Sequence, residues 1–192
     1  MIDPGIARRI ALVAFDVDGT LTDNGVYIGS SAASDGSPER IEAKRFDIQD
    51  GLGIVMLRRA GIQLAFVSAR QSHATTMRAA ELGVTHVYQS HGLRKVPALQ
   101  ALASSLGVPL GNMAFLGDDL ADIAPMQMVA LSAAPSNAVA EVTAIATVRL
   151  TRRGGHGAVR EFAEMLLRAR GEWESLVSAY VVESAVAEAH IA

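Results

Sequence analysis

Residues 10–20 read IALVAFDVDGT: an apolar run from Ile10 to Phe15, then two aspartates, Asp16 and Asp18, and a glycine. A short apolar run bounded by a turn signal is the pattern of a strand buried on both faces, and Gly19 permits a tight turn where that strand ends. The two carboxylates, alternating about Val17, therefore stand at the C-terminal end of a strand. Such a pair can divide a reaction between a nucleophile and an acid or base. Asp and Gly are also common turn residues, so DVDGT alone leaves both readings open.

A second acidic cluster shifts the balance. Met113 to Leu116 is another apolar run, and GDDLAD follows it at 117–122. Acids at two strand ends suggest one metal site assembled from distant sequence. Asp16 and Asp118 would hold a hard cation through oxygen, with waters and a phosphate completing an octahedron, which suits magnesium better than zinc. The chain has no cysteine and its five histidines are scattered, so no thiolate or compact imidazole site is available.

The 192 residues suffice for one catalytic domain spanning 1–192, with an insertion at 22–49 and an extension at 171–192. Half the residues are hydrophobic, yet no apolar run is long enough for a bilayer, so neither disorder nor a membrane partner is expected. A net charge of -3 without a basic stripe argues against nucleic acid. The absence of cysteine fits a reducing compartment, and no signal-like segment opens the sequence, so a cytoplasmic location is the expectation.

Short apolar runs alternate with stretches of helical periodicity, the signature of an α/β fold with a mostly parallel, Rossmann-like sheet. Strands are predicted near 10–15, 62–67, 84–88, 112–116, 128–132 and 145–149. Helices are predicted over 51–60, 72–82, 96–106 and 136–144, with Gly61, Gly83 and Gly107 as stops. If the sheet reverses order near its first strand, the ends of the first and fourth strands flank one crevice.

Residues 22–49 break this rhythm. Val26 to Ile28 and Ile41 to Phe46 read as the arms of a β-hairpin around the Gly/Ser-rich 29–38 segment, with a mobile surface loop as the alternative. In either form the insertion follows DVDGT and can wall the site. Further on, the glycine loop at 154–157 either approaches substrate or turns the chain back over the sheet. Residues 173–190 read as one more amphipathic helix and a candidate subunit contact.

Phosphoryl transfer accounts for these parts together. Asp16, the first acid, serves as nucleophile; Asp18 gives a proton to the leaving oxygen and takes one from water. Ser68, behind the apolar 64–67 run, offers a hydroxyl, and Lys95 offers positive charge near a helix start. Taken singly, each reads as a local cap or a solvated side chain. Their placement between the two acidic clusters makes phosphate binding the joint explanation.

This arrangement, DVDGT at 16–20, Ser68 in VSAR, Lys95 and GDDLAD at 117–122, resembles the haloacid-dehalogenase-like phosphohydrolases. The resemblance implies Asp16 as nucleophile and Asp18 as general acid/base. It also implies magnesium on Asp16, the main-chain carbonyl of Asp18 and Asp118, phosphate on Ser68 and Lys95, and support of the metal shell by Asp119 and Asp122. From Ile10 to Leu167 the chain is similar to the 3-deoxy-D-manno-octulosonate 8-phosphate phosphatase family, a nearly capless branch. DVDGTLTD at 16–23, FDIQDGLGI at 46–54, LGVTHVYQ at 82–89 and GGHGAVRE at 154–161 carry that similarity.

The branch implies a phosphorylated sugar acid as substrate and a role in making the inner sugar of lipopolysaccharide. It places Arg70 and GGHGAVRE near that substrate, and it implies a homotetramer whose 22–49 hairpin narrows a neighbour's active-site entrance. The chain departs from the pattern at Gln49, where Arg is usual, at Ser90, where Gly is usual, and in a path to Lys95 that is one residue longer. A nonulosonate 9-phosphate phosphatase would use the same machinery. A non-enzymatic phosphate-responsive module would not need Asp18, and a nucleotide-binding Rossmann enzyme would need a GxGxxG that does not follow the first strand.

Overall fold

The computed structural model describes residues 1–90, 92 and 95–189, with side chains to residue 185. Part of the path to Lys95, and residue 190, the end of the helix expected over 173–190, lie outside the described residues. Leu12–Phe15 forms β1, and its four residues are all buried. Alternation sends Leu12 and Ala14 to one face of the sheet and Val13 and Phe15 to the other, and each face has its own apolar core. An unbroken apolar run is what a strand covered on both sides requires.

Five further strands join β1: β4 (Gln63–Ser68), β5 (His86–Gln89), β6 (Met113–Leu116), β7 (Leu131–Ala134) and β8 (Val148–Arg149). The order is β5-β4-β1-β6-β7-β8 and every pairing is parallel. From β1 the chain builds first to one side and then to the other, so the ends of β1 and β6 meet at the switch point, where such sheets bind ligands. Phe15 meets Phe66 edge to face across β1 and β4, with ring centroids 6.2 Å apart.

On one face lie α1 (Pro4–Arg9), α2 (Ile48–Arg59) and α7 (Ala158–Arg170), whose Ala7, Ile54, Leu57, Phe162 and Leu166 pack with Val13, Phe15 and Phe66. On the other lie α4 (Lys95–Leu106), α5 (Ile123–Met128) and α6 (Ala140–Ile145), around Leu99, Leu102, Phe115, Met126 and Val142. Helix α3 (His73–Leu82) follows β4, and α8 (Trp173–Ala189) follows α7. No described helix is long and apolar enough to cross a membrane.

The alternation of elements agrees with the sequence reading, and the boundaries differ for local reasons. Asp47 accepts hydrogen bonds from Gln49 N and Asp50 N, so α2 begins at Ile48 instead of 51. Helix α6 begins at Ala140 instead of 136 because Ser136 N is drawn to Arg152 O and the Asn137 side chain bridges two loops. The unforeseen α5 occupies residues up to Met128 and moves the following strand to Leu131–Ala134.

The 22–49 insertion is a hairpin. Strands β2 (Tyr27–Ala32) and β3 (Pro38–Ala43) pair antiparallel from Tyr27↔Ala43 to Ala32↔Pro38, and Thr22↔Phe46 closes the base. The arms take in half of the 29–38 segment that was read as turn. Only residues 33–37 turn, held by Ala33 N to Ser37 O at 2.8 Å and by Asp35 Oδ1, which accepts from Ser37 N.

Candidate active site

Asp16 follows β1 directly and is anchored by its N–H to Leu116 O at 2.8 Å, which ties it to β6. The chain then turns, with Leu21 N and Thr22 N both donating to Val17 O. Gly19 adopts φ +95°, and a Cβ there would lie 2.0 Å from Asp118 Oδ2. Glycine at this position therefore serves the backbone and also admits the second strand's carboxylate.

Asp118 follows β6 and receives the Thr20 hydroxyl at 3.2 Å. Asp122 turns back on the same loop: its Oδ2 accepts from Asp118 N at 3.0 Å and Asp119 N at 3.1 Å. Asp16, Asp118 and Asp122 are all buried, and each offers an oxygen within 4.8 Å of the others. Lys95, the first residue of α4, is buried beside them and donates to Asp16 Oδ1 and, at 2.6 Å, to Asp122 Oδ1. An ammonium carries three donors, so one remains after these two bonds.

Three buried carboxylates facing one ammonium leave unbalanced negative charge. Burial, then the Asp122 and Asp118 charges, push Asp16 well above the usual carboxylate range, and Lys95 offsets only part of this. Burial and Asp122 likewise push Asp118 up to about 6. For Lys95, burial acts to lower the pKa, but Asp16 and Asp122 outweigh it and hold the ammonium above its ordinary value. An all-oxygen, electron-rich and buried donor set of this kind fits a hard divalent cation.

Asp18 stands at the rim. Its Oδ1 lies 2.7 Å from Lys44 Nζ and its Oδ2 3.8 Å from Arg70 Nη1, while Arg70 Nη2 reaches Glu42 Oε2 at 3.0 Å. Ser68, the last residue of β4, is buried and its Oγ accepts from Arg70 N at 3.1 Å, leaving its own proton for another acceptor. Asp119 is exposed and its Oδ1 accepts from Leu120 N at 2.7 Å. The structure thus gathers Asp16, Asp118, Asp122 and Lys95 in one buried cluster, with Asp18 and Arg70 joined at its edge. Gln49 lies apart, exposed on the first turn of α2.

Three residues escaped the sequence reading. Lys44, within the 41–46 arm, was assigned no role from sequence. Asn137, read as part of a helix over 136–144, instead lies before α6, donates to Gly19 O at 2.9 Å and accepts from Gly154 N at 2.6 Å, clamping the glycine loop to the DVDGT turn. Asp50 lies in the FDIQDGLGI stretch and just before the helix predicted from 51, with no role of its own assigned from sequence. It is buried and accepts from Gly157 N at 3.2 Å and Arg160 N at 2.8 Å, capping α7, and burial pushes it up to about 6.

The glycine loop packs against the turn after β1: a Cβ on Gly154 would lie 1.8 Å from Gly19 O, and one on Gly155 would lie 2.4 Å from Asp23 N.

Comparison with known proteins agrees with this geometry. A haloacid dehalogenase-like hydrolase profile matches residues 87–161. The 3-deoxy-D-manno-octulosonate 8-phosphate phosphatase of Escherichia coli is 35% identical over 166 residues, 86% of this chain and 84% of that protein. A crystal structure of the Moraxella catarrhalis phosphatase of the same name, in complex with magnesium, phosphate and KDO, superposes with a TM-score of 0.82. It is 34% identical and the match covers 92% of this chain and 97% of that one. The cobalt-bound enzyme of Haemophilus influenzae gives 0.76 at 34% identity, over 86% and 92%. With identity of this degree along nearly the whole length, and the acids of β1 and β6 converging on one site, the chain belongs to the 3-deoxy-D-manno-octulosonate 8-phosphate phosphatase family of haloacid dehalogenase-like hydrolases.

Proposed function

We propose that this protein is a magnesium-dependent phosphatase that hydrolyses 3-deoxy-D-manno-octulosonate 8-phosphate through an aspartyl phosphate on Asp16. The observation that carries the reading is the convergence of Asp16, Asp118 and Lys95 in one buried cluster, with a second acid, Asp18, at its rim. The Asp16 carboxylate attacks phosphorus as the bond to the sugar oxygen breaks, and Asp18 delivers a proton to that oxygen. Asp18 then takes a proton from the water that hydrolyses the aspartyl phosphate. Lys95 turns its third N–H to the phosphoryl group and Ser68 gives its hydroxyl proton.

Asp16, the main-chain carbonyl of Asp18 and Asp118 would hold the magnesium, with Asp119 and Asp122 supporting them. The ion would supply the positive charge that lets a carboxylate approach a dianionic phosphate. Arg70, part-exposed between Asp18 and Glu42, faces the sugar acid together with residues of GGHGAVRE. The chain works as a single catalytic domain in the cytoplasm, as a homotetramer in lipopolysaccharide synthesis. The exposed Tyr27, Ile28 and Ile41 of the hairpin support a subunit contact there.

Turnover of this substrate compared with a nonulosonate 9-phosphate tests the assignment. Higher kcat/KM for the octulosonate ester supports it. Preference for the nonulosonate ester keeps the mechanism and changes the pathway.

A further inference from the structure

Lysine is rare in this chain: two residues, against fifteen arginines. Both lysines are buried on aspartates of the site, Lys95 on Asp16 and Asp122, Lys44 on Asp18. Every other cationic side chain is an arginine, a planar fork suited to surface pairing. A compact ammonium is kept for the two places where a single point charge must fit against a catalytic carboxylate.

Lys44 immediately follows β3. Its side chain is fully buried, at 0% exposure, and Nζ lies 2.7 Å from Asp18 Oδ1. Among the described residues neither atom has a hydrogen-bond partner, so the contact is an ion pair without a directed bond. An ammonium taken out of water with no acceptor is costly, and Asp18 is what holds this one in place. Glu42, two residues earlier and on the same face of the hairpin arm, takes Arg70 at 3.0 Å, and Arg70 faces the other oxygen of Asp18. The exit arm of the hairpin thus grips Asp18 twice, directly through Lys44 and indirectly through Glu42 and Arg70.

We propose that Lys44 is a positioning residue for proton transfer: it fixes the Asp18 carboxyl group toward the leaving oxygen, pairs with the carboxylate formed when the proton leaves, and so makes the acid step depend on the seating of the hairpin. This rests on the phosphatase reading above. In the step concerned, the Asp16 oxygen bonds to phosphorus, the bond from phosphorus to the ester oxygen breaks, and the proton of Asp18 in its acid form moves to that oxygen, leaving the carboxylate that pairs with Lys44. A sugar alkoxide needs the proton; 4-nitrophenolate leaves as the anion and does not.

The test is the burst rate of phosphoenzyme formation with 3-deoxy-D-manno-octulosonate 8-phosphate and with 4-nitrophenyl phosphate, for wild type, Lys44→Met and Glu42→Gln. Lys44→Met should slow the sugar ester by about 10²-fold, the low end for a lost general acid, with a much smaller loss on the nitrophenyl ester. Glu42→Gln should show the same selectivity to a lesser degree, and it carries the test should Lys44→Met not fold. Equal losses on both esters, or no loss on either, overturns the proposal while leaving the phosphatase reading intact. A wild type inactive on both esters overturns that reading and this proposal with it.

Discussion

Asp16 and Asp18 sit two residues apart in different settings, one buried among carboxylates and Lys95, the other at the rim between Lys44 and Arg70. Asp16→Asn removes the proposed nucleophile, and turnover should fall by about 10⁴-fold or more in a phosphate-release assay. Asp18→Asn should cost about 10²–10⁴-fold on an alkyl ester and less on an activated one. The carboxylates also set a pH dependence. Asp16, raised by burial and Asp122, and Asp118, raised to about 6, bind protons more tightly when folded than when unfolded. Their contribution is therefore greatest at low pH and is lost as pH rises from the unfolded value of 3.8 through about 6. Asp50, raised to about 6, acts with the same sign. Thermal melts of metal-free protein should give a higher Tm near about pH 5 than near about pH 7, with magnesium adding more at the higher pH. A Tm that climbs through this window would show that the cluster is not charge-strained.

At the scale of elements, the glycine loop before α7 and the turn after β1 act as one unit. A methyl group on Gly154 would collide with the Gly19 carbonyl, which is backbone and has no rotamer to yield. Gly154→Ala should lower stability by about 1–3 kcal/mol in denaturant unfolding and lower kcat by displacing the DVDGT turn. Asn137→Ala orphans Gly19 O and Gly154 N and should cost a similar 1–3 kcal/mol or so by the same measurement.

Strands β1 and β6 were legible in the sequence because burial on both faces leaves an uninterrupted apolar run. Helices α1 and α5 were not, since each is six residues long and too short to show a period, and α5 contains Pro125. The partners of Asp50 and Asn137 were hidden for another reason. Gly157 and Gly19 lie 107 and 118 residues away along the chain, and local composition does not record which distant segments meet.

For the whole molecule, the order β5-β4-β1-β6-β7-β8 turns two local motifs into one site, because it makes the strands bearing Asp16 and Asp118 neighbours. The sequence showed both motifs and the switch point they need. It did not show that the hairpin would reach back to Asp18, because the alternating pattern of 41–46 records exposure and says nothing of where Lys44 ends. The same hairpin presents Tyr27, Ile28 and Ile41 to solvent. Light scattering should find a tetramer for wild type, and Tyr27→Glu with Ile41→Glu should shift it toward smaller species.

The central claim is that acids from two strand ends make a magnesium-dependent phosphatase with Asp16 as nucleophile. Phosphate release from 3-deoxy-D-manno-octulosonate 8-phosphate, by wild type and Asp16→Asn with and without magnesium, tests it most directly. Turnover is expected only by wild type with magnesium. Comparable release by Asp16→Asn, or by wild type after magnesium is stripped with chelator, would contradict it.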